Sequence, residues 1–168
     1  MEKNTKRVGL FGTCNDSKWR DELIPQLTCD YFNPVVDDWN EEAYKEELKQ
    51  RETCDYCLYV ITPKMKGVYS IAEVIDDSNK RPEKTLFFIQ ETDKFSEIEK
   101  RNIFFKEATY MDLNALEVAF TSVKNFMIPF FDKEQLKSLN KVGEMVDKNG
   151  GKWFKTKEDL IIFLNENT

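Results

Sequence analysis

Tyr56-Cys57-Leu58-Tyr59-Val60-Ile61 runs into Thr62-Pro63-Lys64-Met65-Lys66-Gly67-Val68 and then into Tyr69-Ser70-Ile71-Ala72-Glu73-Val74-Ile75-Asp76-Asp77-Ser78-Asn79. The first six residues are apolar without alternation, as a central parallel strand covered on both faces requires. Pro63 and Gly67 punctuate a loop. The third stretch predicts a helix from about Tyr69 to Asn79 that stops before Pro82. A buried strand, a loop and a helix in this order are the first half of a β-α-β unit.

The same alternation extends outward. Val8 to Gly12 reads as a buried strand ending at a turn. Ser17 is placed to cap a helix running to Leu27, which Pro25 kinks or shortens. Tyr31 to Val36 reads as a second strand, and Pro34 within it points to an edge or a bulge. Glu41 to Arg51 is a charged helix whose inner face is marked by Tyr44 and Leu48, and Lys84 to Ile89 is a fourth strand. The β-α-β-α-β-α-β order predicts a doubly wound parallel sheet of the α/β class with helices on both faces. Ligands of such sheets sit at the carboxyl ends of the strands, near the switch point. Here those ends are Gly12-Thr13-Cys14-Asn15, Val36-Asp37-Asp38-Trp39 and Thr62 to Gly67.

The second half reads less sharply. Ile103 to Tyr110 fits a strand or the end of a helix, and Leu113 to Met127 fits a helix. Lys133 to Lys148 fits another, ending at Asn149-Gly150-Gly151. Lys152 to Lys155 is a short strand, and Thr156 to Asp159 opens a closing helix, Leu160 to Leu164, with capping-box chemistry. The aromatic segment Phe120 to Phe131 fits either internal core or a subunit interface. No repeat or low-complexity linker divides the chain, and 168 residues suit one domain, 1–168.

Composition narrows the function classes. The chain is 40% hydrophobic and 13% aromatic, enough for a packed core, and its apolar runs are too short and too interrupted for a membrane span. A net charge of −6 with no basic stripe argues against nucleic-acid binding. Met1 to Arg7 passes directly into a strand-like run without a signal-peptide core, so a cytoplasmic protein is expected. The four cysteines then read as reduced, buried small hydrophobes. Cys54-Asp55-Tyr56-Cys57 has the CxxC spacing of redox and zinc sites, yet on a strand residues three apart face opposite ways. The chain has no histidine. Zinc would need three or four thiolates, no metal or other cofactor is expected, and acid–base or nucleophilic work falls to Asp, Glu, Tyr, Lys or Cys.

Glu73 stands out among those groups. Ser70-Ile71-Ala72-Glu73 matches S-x-x-E, in which the glutamate returns to the backbone of Ser70 as a capping box. The same place suits chemistry. A first-turn carboxylate is kept ionised by the helix dipole, as a nucleophile requires, and Val68 and Ile71 would desolvate it. Cleavage of an N-glycosidic bond passes through a cationic sugar that an adjacent carboxylate stabilises or traps.

Phe11-Gly12-Thr13-Cys14-Asn15-Asp16-Ser17 with Trp19-Arg20, Phe32 to Trp39, Cys54-Asp55-Tyr56, Val60 to Pro63, and Gly67 to Glu73 follow one another in the order of the motifs of the nucleoside 2-deoxyribosyltransferase-like family. The chain resembles that family over roughly residues 7 to 90, and more weakly at Gly150-Gly151 and the final helix. The resemblance implies a flavodoxin-like fold with five parallel strands, a nucleoside or nucleotide as small-molecule partner, and homo-oligomers, dimeric or higher. It places the family nucleophile at Glu73, eighteen residues after Asp55 as in the transferases.

Other positions follow from the same motifs. Gly12 allows close backbone approach, and Thr13 and Asn15 could hydrogen-bond sugar or phosphate; turn and capping chemistry is their plainer role. Asn33, Asp37, Asp38 and Trp39 could bind base or sugar, with Trp39 stacking, or simply solvate a strand end. Glu47 falls near a sugar-binding aspartate of the transferases, on a helix whose charge reads as a solvated face. Asp55 orients the site or terminates a turn, Ser70 belongs to the substrate loop, and Asp76 and Asp77 are expected on the exposed side of their helix. Gly67 stands where the transferases carry the aspartate that handles the base, so base protonation is expected from Asp37 or Asp38, or the substrate differs.

Overall fold

The computed structural model describes residues 6–14, 16–94 and 130–168. Its sheet has five parallel strands in the order β2-β1-β3-β4-β5, the flavodoxin-like arrangement. The strands are β1 (Arg7–Gly12), β2 (Asp30–Phe32), β3 (Tyr56–Ile61), β4 (Thr85–Ile89) and β5 (Lys152–Phe154). The described helices are α1 (Trp19–Leu23), α2 (Glu41–Thr53), α3 (Tyr69–Lys80), α4 (Lys133–Asn149) and α5 (Lys157–Asn167). Short 3₁₀ turns follow α1 and α3. The strand or helix end expected over 103–110, the expected helix over 113–127, Phe120, Phe126 and Asn15 lie outside the described residues.

The alternation of β3 explains why its sequence shows none. Leu58 and Val60 enter one core with Val8, Leu10, Trp19, Leu23, Leu86, Leu160 and Leu164. Cys57, Tyr59 and Ile61 enter the other with Phe11, Val74, Phe87, Leu139 and Val146. Both faces are covered, so every position must be apolar. Of the aromatic segment, Phe131 is buried in this second core and Phe130 is exposed, pairing as an isolated bridge with Thr92.

Element boundaries moved where local chemistry intervened. The strand expected over 31–36 stops at Phe32, because the Asn33 side chain accepts from the Val35 N–H at 3.1 Å and turns the chain at Pro34. β2 is nevertheless an edge strand, as Pro34 suggested. Ser17 does not cap α1. That position falls to Lys18 with no side-chain cap, since the Ser17 hydroxyl is engaged by Thr62 and Asp93. At Gly12, φ is +112° and a Cβ would collide with the Val60 backbone, so only glycine lets β1 leave the sheet here. Gly150, at φ +97°, ends α4 as a left-handed cap. Thr156 caps α5 by accepting from the Asp159 N–H at 3.1 Å.

Candidate active site

The carboxyl ends of β2, β1 and β3 are neighbours, and the winding direction reverses between β1 and β3. The loop residues 13–14 and 16–18, 33–40 and 62–68 therefore share one edge of the sheet, as the sequence predicted. Much of that edge is committed to its own structure. Thr13 is buried; its hydroxyl accepts from the Thr62 N–H at 2.9 Å, and its carbonyl accepts from Trp19 Nε1 and Arg20 Nη1, each at 2.8 Å. Arg20 also donates twice to the Leu10 carbonyl. Asp93 accepts from the Ser17 and Thr62 hydroxyls and from the backbone N–H groups of Lys18 and Lys94, tying the ends of β1, β3 and β4 together.

Glu73 lies one turn below this edge. Val68 rather than Ser70 precedes the first residue of α3 and no side chain caps the helix, so the capping box does not form and Glu73 falls in the second turn. The carboxyl is 3% exposed and accepts from Arg51 Nη1 at 3.1 Å. Burial first, and then the neighbouring Glu47 carboxyl, push it up to about 7 against the pull of Arg51. The expectation of a dipole-held, fully ionised carboxylate is thus corrected: beyond the first turn the dipole fades and desolvation dominates.

Arg51 and Asp77 were not anticipated. The spacing of Tyr44, Glu47 and Arg51 on α2 and of Tyr69, Glu73 and Asp77 on α3 puts each set on one helix face. Facing each other, they make a polar seam. The Tyr44 and Tyr69 hydroxyls are 3.3 Å apart; Glu47 and Glu73 come next; Arg51 then donates to Asp77 through Nε at 3.1 Å and Nη2 at 2.8 Å. Asp77, 0% exposed, also accepts from Tyr59 at 2.5 Å and from Arg81. Burial raises the Asp77 carboxyl, but the bonds from Arg51, Tyr59 and Arg81 outweigh it and hold the group below its ordinary range. Burial raises the Tyr59 hydroxyl, and adjacent Asp77 raises it further. Asp77 is therefore not on the exposed side of its helix, and Asp76 is half-buried, meeting Lys80 and Arg51. Nor is Leu48 inward: it is exposed, and the buried residues of α2 are Gln50 and Arg51. Charged residues at helical spacing look solvated in sequence; only complementary charges on the facing helix reveal them as buried.

Glu47 is half-buried in the seam. Burial raises its carboxyl, opposed by Arg51, the Trp39 indole and Arg20. Trp39 is 62% exposed, packs a tilted ring 5.7 Å from Tyr44, and stands with exposed Tyr69 at the upper end of the seam. Asp37, Asp38 and Asn33 lie exposed in the loop 33–40, and among the described residues no hydrogen bond or ion pair joins them to Glu73. Gly67 is exposed with open space where a side chain would stand, and Ser70 is half-buried inside α3. Asp55 is at the opposite, amino edge of the sheet, where its carboxylate accepts from the Arg7 N–H at 2.8 Å, and it does not reach the site.

The remaining chemistry candidates resolve simply. Burial pushes the Cys54 thiol up to about 11 and the Cys57 thiol up to about 12, the opposite of redox or ligand poise. Cys14, expected buried, is exposed. Among the described residues no group of three or more His, Cys, Asp or Glu side chains is placed to hold a metal ion. No described helix is long and apolar enough to cross a membrane. A groove of about 580 Å³ runs along β5 and α5, lined by Lys152, Trp153, Phe154, Ile162 and Phe163 among others, and shares no residue with the seam. No protein-family model matches the sequence, and no curated protein matches it either.

Proposed function

We propose that this chain cleaves, or exchanges the base of, the N-glycosidic bond of a nucleoside or nucleotide, with Glu73 as the carboxylate that attacks or stabilises the anomeric carbon. One observation carries the reading. A buried glutamate with a carboxyl pushed up to about 7 lies one helical turn after exposed Tyr69, whose hydroxyl meets Tyr44 beside exposed Trp39, in the helix that follows the carboxyl end of β3 in a doubly wound sheet. A strongly perturbed carboxyl at that place is the usual mark of a working site. The exposed aromatic rings offer a face for a base to stack on, and the desolvated carboxyl is a better partner for a sugar cation than a hydrated one. The motif order that resembles the nucleoside 2-deoxyribosyltransferase-like family supports the same reaction. Cytoplasmic location and homo-oligomers belong to this reading, and light scattering on the purified protein checks the latter.

The test is incubation with a nucleoside and nucleotide library, with and without acceptor bases, followed by chromatography for released or exchanged base. Base release that disappears in Glu73→Gln is expected. Full activity in that variant removes the mechanism.

A second reading is favoured by the Arg51 pair. Glu73 has a strong donor already in place and little exposure, as suits a non-catalytic nucleotide-binding or sequestering module. Titration calorimetry with the same library separates the two: saturable binding without free base supports the module.

A further inference from the structure

Arg51 is fixed at both ends. Its backbone is tied to β3, where the Cys57 thiol donates to the Arg51 carbonyl at 3.2 Å. Its guanidinium grips Asp77 along one side, Nε to Oδ2 at 3.1 Å and Nη2 to Oδ1 at 2.8 Å. Asp77 is held in turn by the Tyr59 hydroxyl of β3 at 2.5 Å and by Arg81 from just beyond α3. Nη2 also lies 3.5 Å from the Glu73 carbonyl and 3.5 Å from Asp76. A planar fork gripped on two of its nitrogens leaves the third no freedom of direction. That third nitrogen, Nη1, donates to Glu73 Oε1 at 3.1 Å. Asp77 already balances the Arg51 charge, so the bond to Glu73 is not needed for neutrality.

Only one oxygen of Glu73 is held. Oε2 takes no hydrogen bond or ion pair from any described residue. Among the described residues, the one side-chain nitrogen or oxygen that is both sealed and without a partner is Arg81 Nε. Oε2 is therefore not sealed, although the residue as a whole is buried. We propose that Arg51 is the positioning residue of this site: locked by Asp77, it anchors Glu73 through Oε1 and leaves Oε2 as the oxygen that attacks the anomeric carbon. This inference rests on the glycosidic reading above and deepens it.

The chemistry follows from which oxygen is free. Oε2 forms a bond to the anomeric carbon as the carbon–nitrogen bond breaks. The electron pair leaves on the base nitrogen, which takes a proton from water. Oε1 becomes the carbonyl oxygen of the glycosyl ester and keeps its bond to Nη1. Water then attacks the same carbon and gives its proton to solvent; the carbon–oxygen bond breaks and its electron pair returns to Glu73, where the guanidinium meets the restored charge. A second base in place of water gives exchange. A donor on one oxygen orients a carboxylate for this work, whereas donors on both would occupy it. Lysine cannot substitute, because one ammonium cannot grip Asp77 along a side and hold Oε1 as well.

The test uses the full chain labelled with ¹⁵N-arginine, with the Arg51 side-chain signals assigned by their loss in Arg51→Lys and amide spectra confirming the fold of each variant. A locked guanidinium gives separate, slowly exchanging Nη1 and Nη2 signals in the wild type. Glu73→Gln is expected to shift Nη1 and leave Nε in place, and Asp77→Asn to merge the two Nη signals. In the base-release assay, Arg51→Lys is expected to lower kcat by about 10²-fold while KM stays within about twofold, since charge is kept and geometry is lost. Merged Nη signals in the wild type, or an Nη1 signal unmoved by Glu73→Gln, overturn the positioning even if the wild type releases base. A folded Arg51→Lys protein with full kcat overturns it as well, because charge alone would then suffice. Resolved signals in a wild type that releases no base from the library overturn the role in attack together with the reading on which it rests.

Discussion

Replacing Arg51 with methionine isolates what holds α2 against α3. The guanidinium is almost wholly buried and meets Asp77 twice, the Glu73 carboxyl once, and the Glu73 carbonyl and Asp76 each at 3.5 Å. Methionine fills much of the same volume but leaves Asp77, 0% exposed, facing Tyr59 and Arg81 without its main counter-charge, and leaves Glu73 with none. Breaking a buried pair from one side costs about 3–5 kcal/mol, because the surviving charge remains desolvated. Against a total stability of about 5–15 kcal/mol, the variant should stand near the edge of unfolding. Urea unfolding followed by far-UV circular dichroism and tryptophan fluorescence reads the loss as a lower midpoint with little change in slope. The triple variant Arg51→Met, Asp77→Asn, Glu73→Gln removes the stranded charges as well and should recover at least half of the loss, a coupling that additive effects would not produce. A single-variant loss below about 1 kcal/mol, or a triple variant no better than the single one, would falsify the view that the seam is a mutually dependent charge network.

Other consequences concern pH, backbone and edge. The Glu73 carboxyl is raised from 4.5 to about 7 on folding, so the native state binds its proton more tightly; that contribution is present at low pH and is lost as pH rises toward 7. Thermal unfolding of Glu73→Gln should therefore lack about 1–3 kcal/mol of the wild-type decline between pH 5 and 8, and identical profiles would count against a buried titrating group. Gly12→Ala forces a Cβ into the Val60 backbone at φ +112° and should cost about 2–4 kcal/mol, seen as a lowered melting temperature; a shift of only a degree or two would contradict the strand-end geometry. Asp93→Ala strands two hydroxyls and two N–H groups at the ends of β1, β3 and β4 and should cost about 2–4 kcal/mol, with faster amide exchange at Lys18 and Lys94; unchanged exchange there would show that the tie is dispensable.

Much of the architecture was legible because it follows from periodicity and punctuation. Unbroken apolar runs at 56–61 and 86–89 require strands covered on both faces, and Gly12, Pro82 and Gly150 end elements through backbone geometry alone. Boundaries slipped where a side chain had a choice of partner. Asn33 turned the chain early, and Ser17 left the cap of α1 for Asp93, which lies seventy-six residues away in sequence.

The sequence by itself determined the parallel α/β order, the strand ends that share one edge, and the conspicuous position of Glu73, because these depend on patterns within about twenty residues. Tertiary structure alone decided what surrounds that carboxyl. Arg51, Tyr59, Asp77 and Glu47 come from three different elements and read singly as surface charge or core. Whether a charged group is solvated or buried depends on what the neighbouring helix presents to it, and its protonation follows from that burial rather than from its own place in the helix.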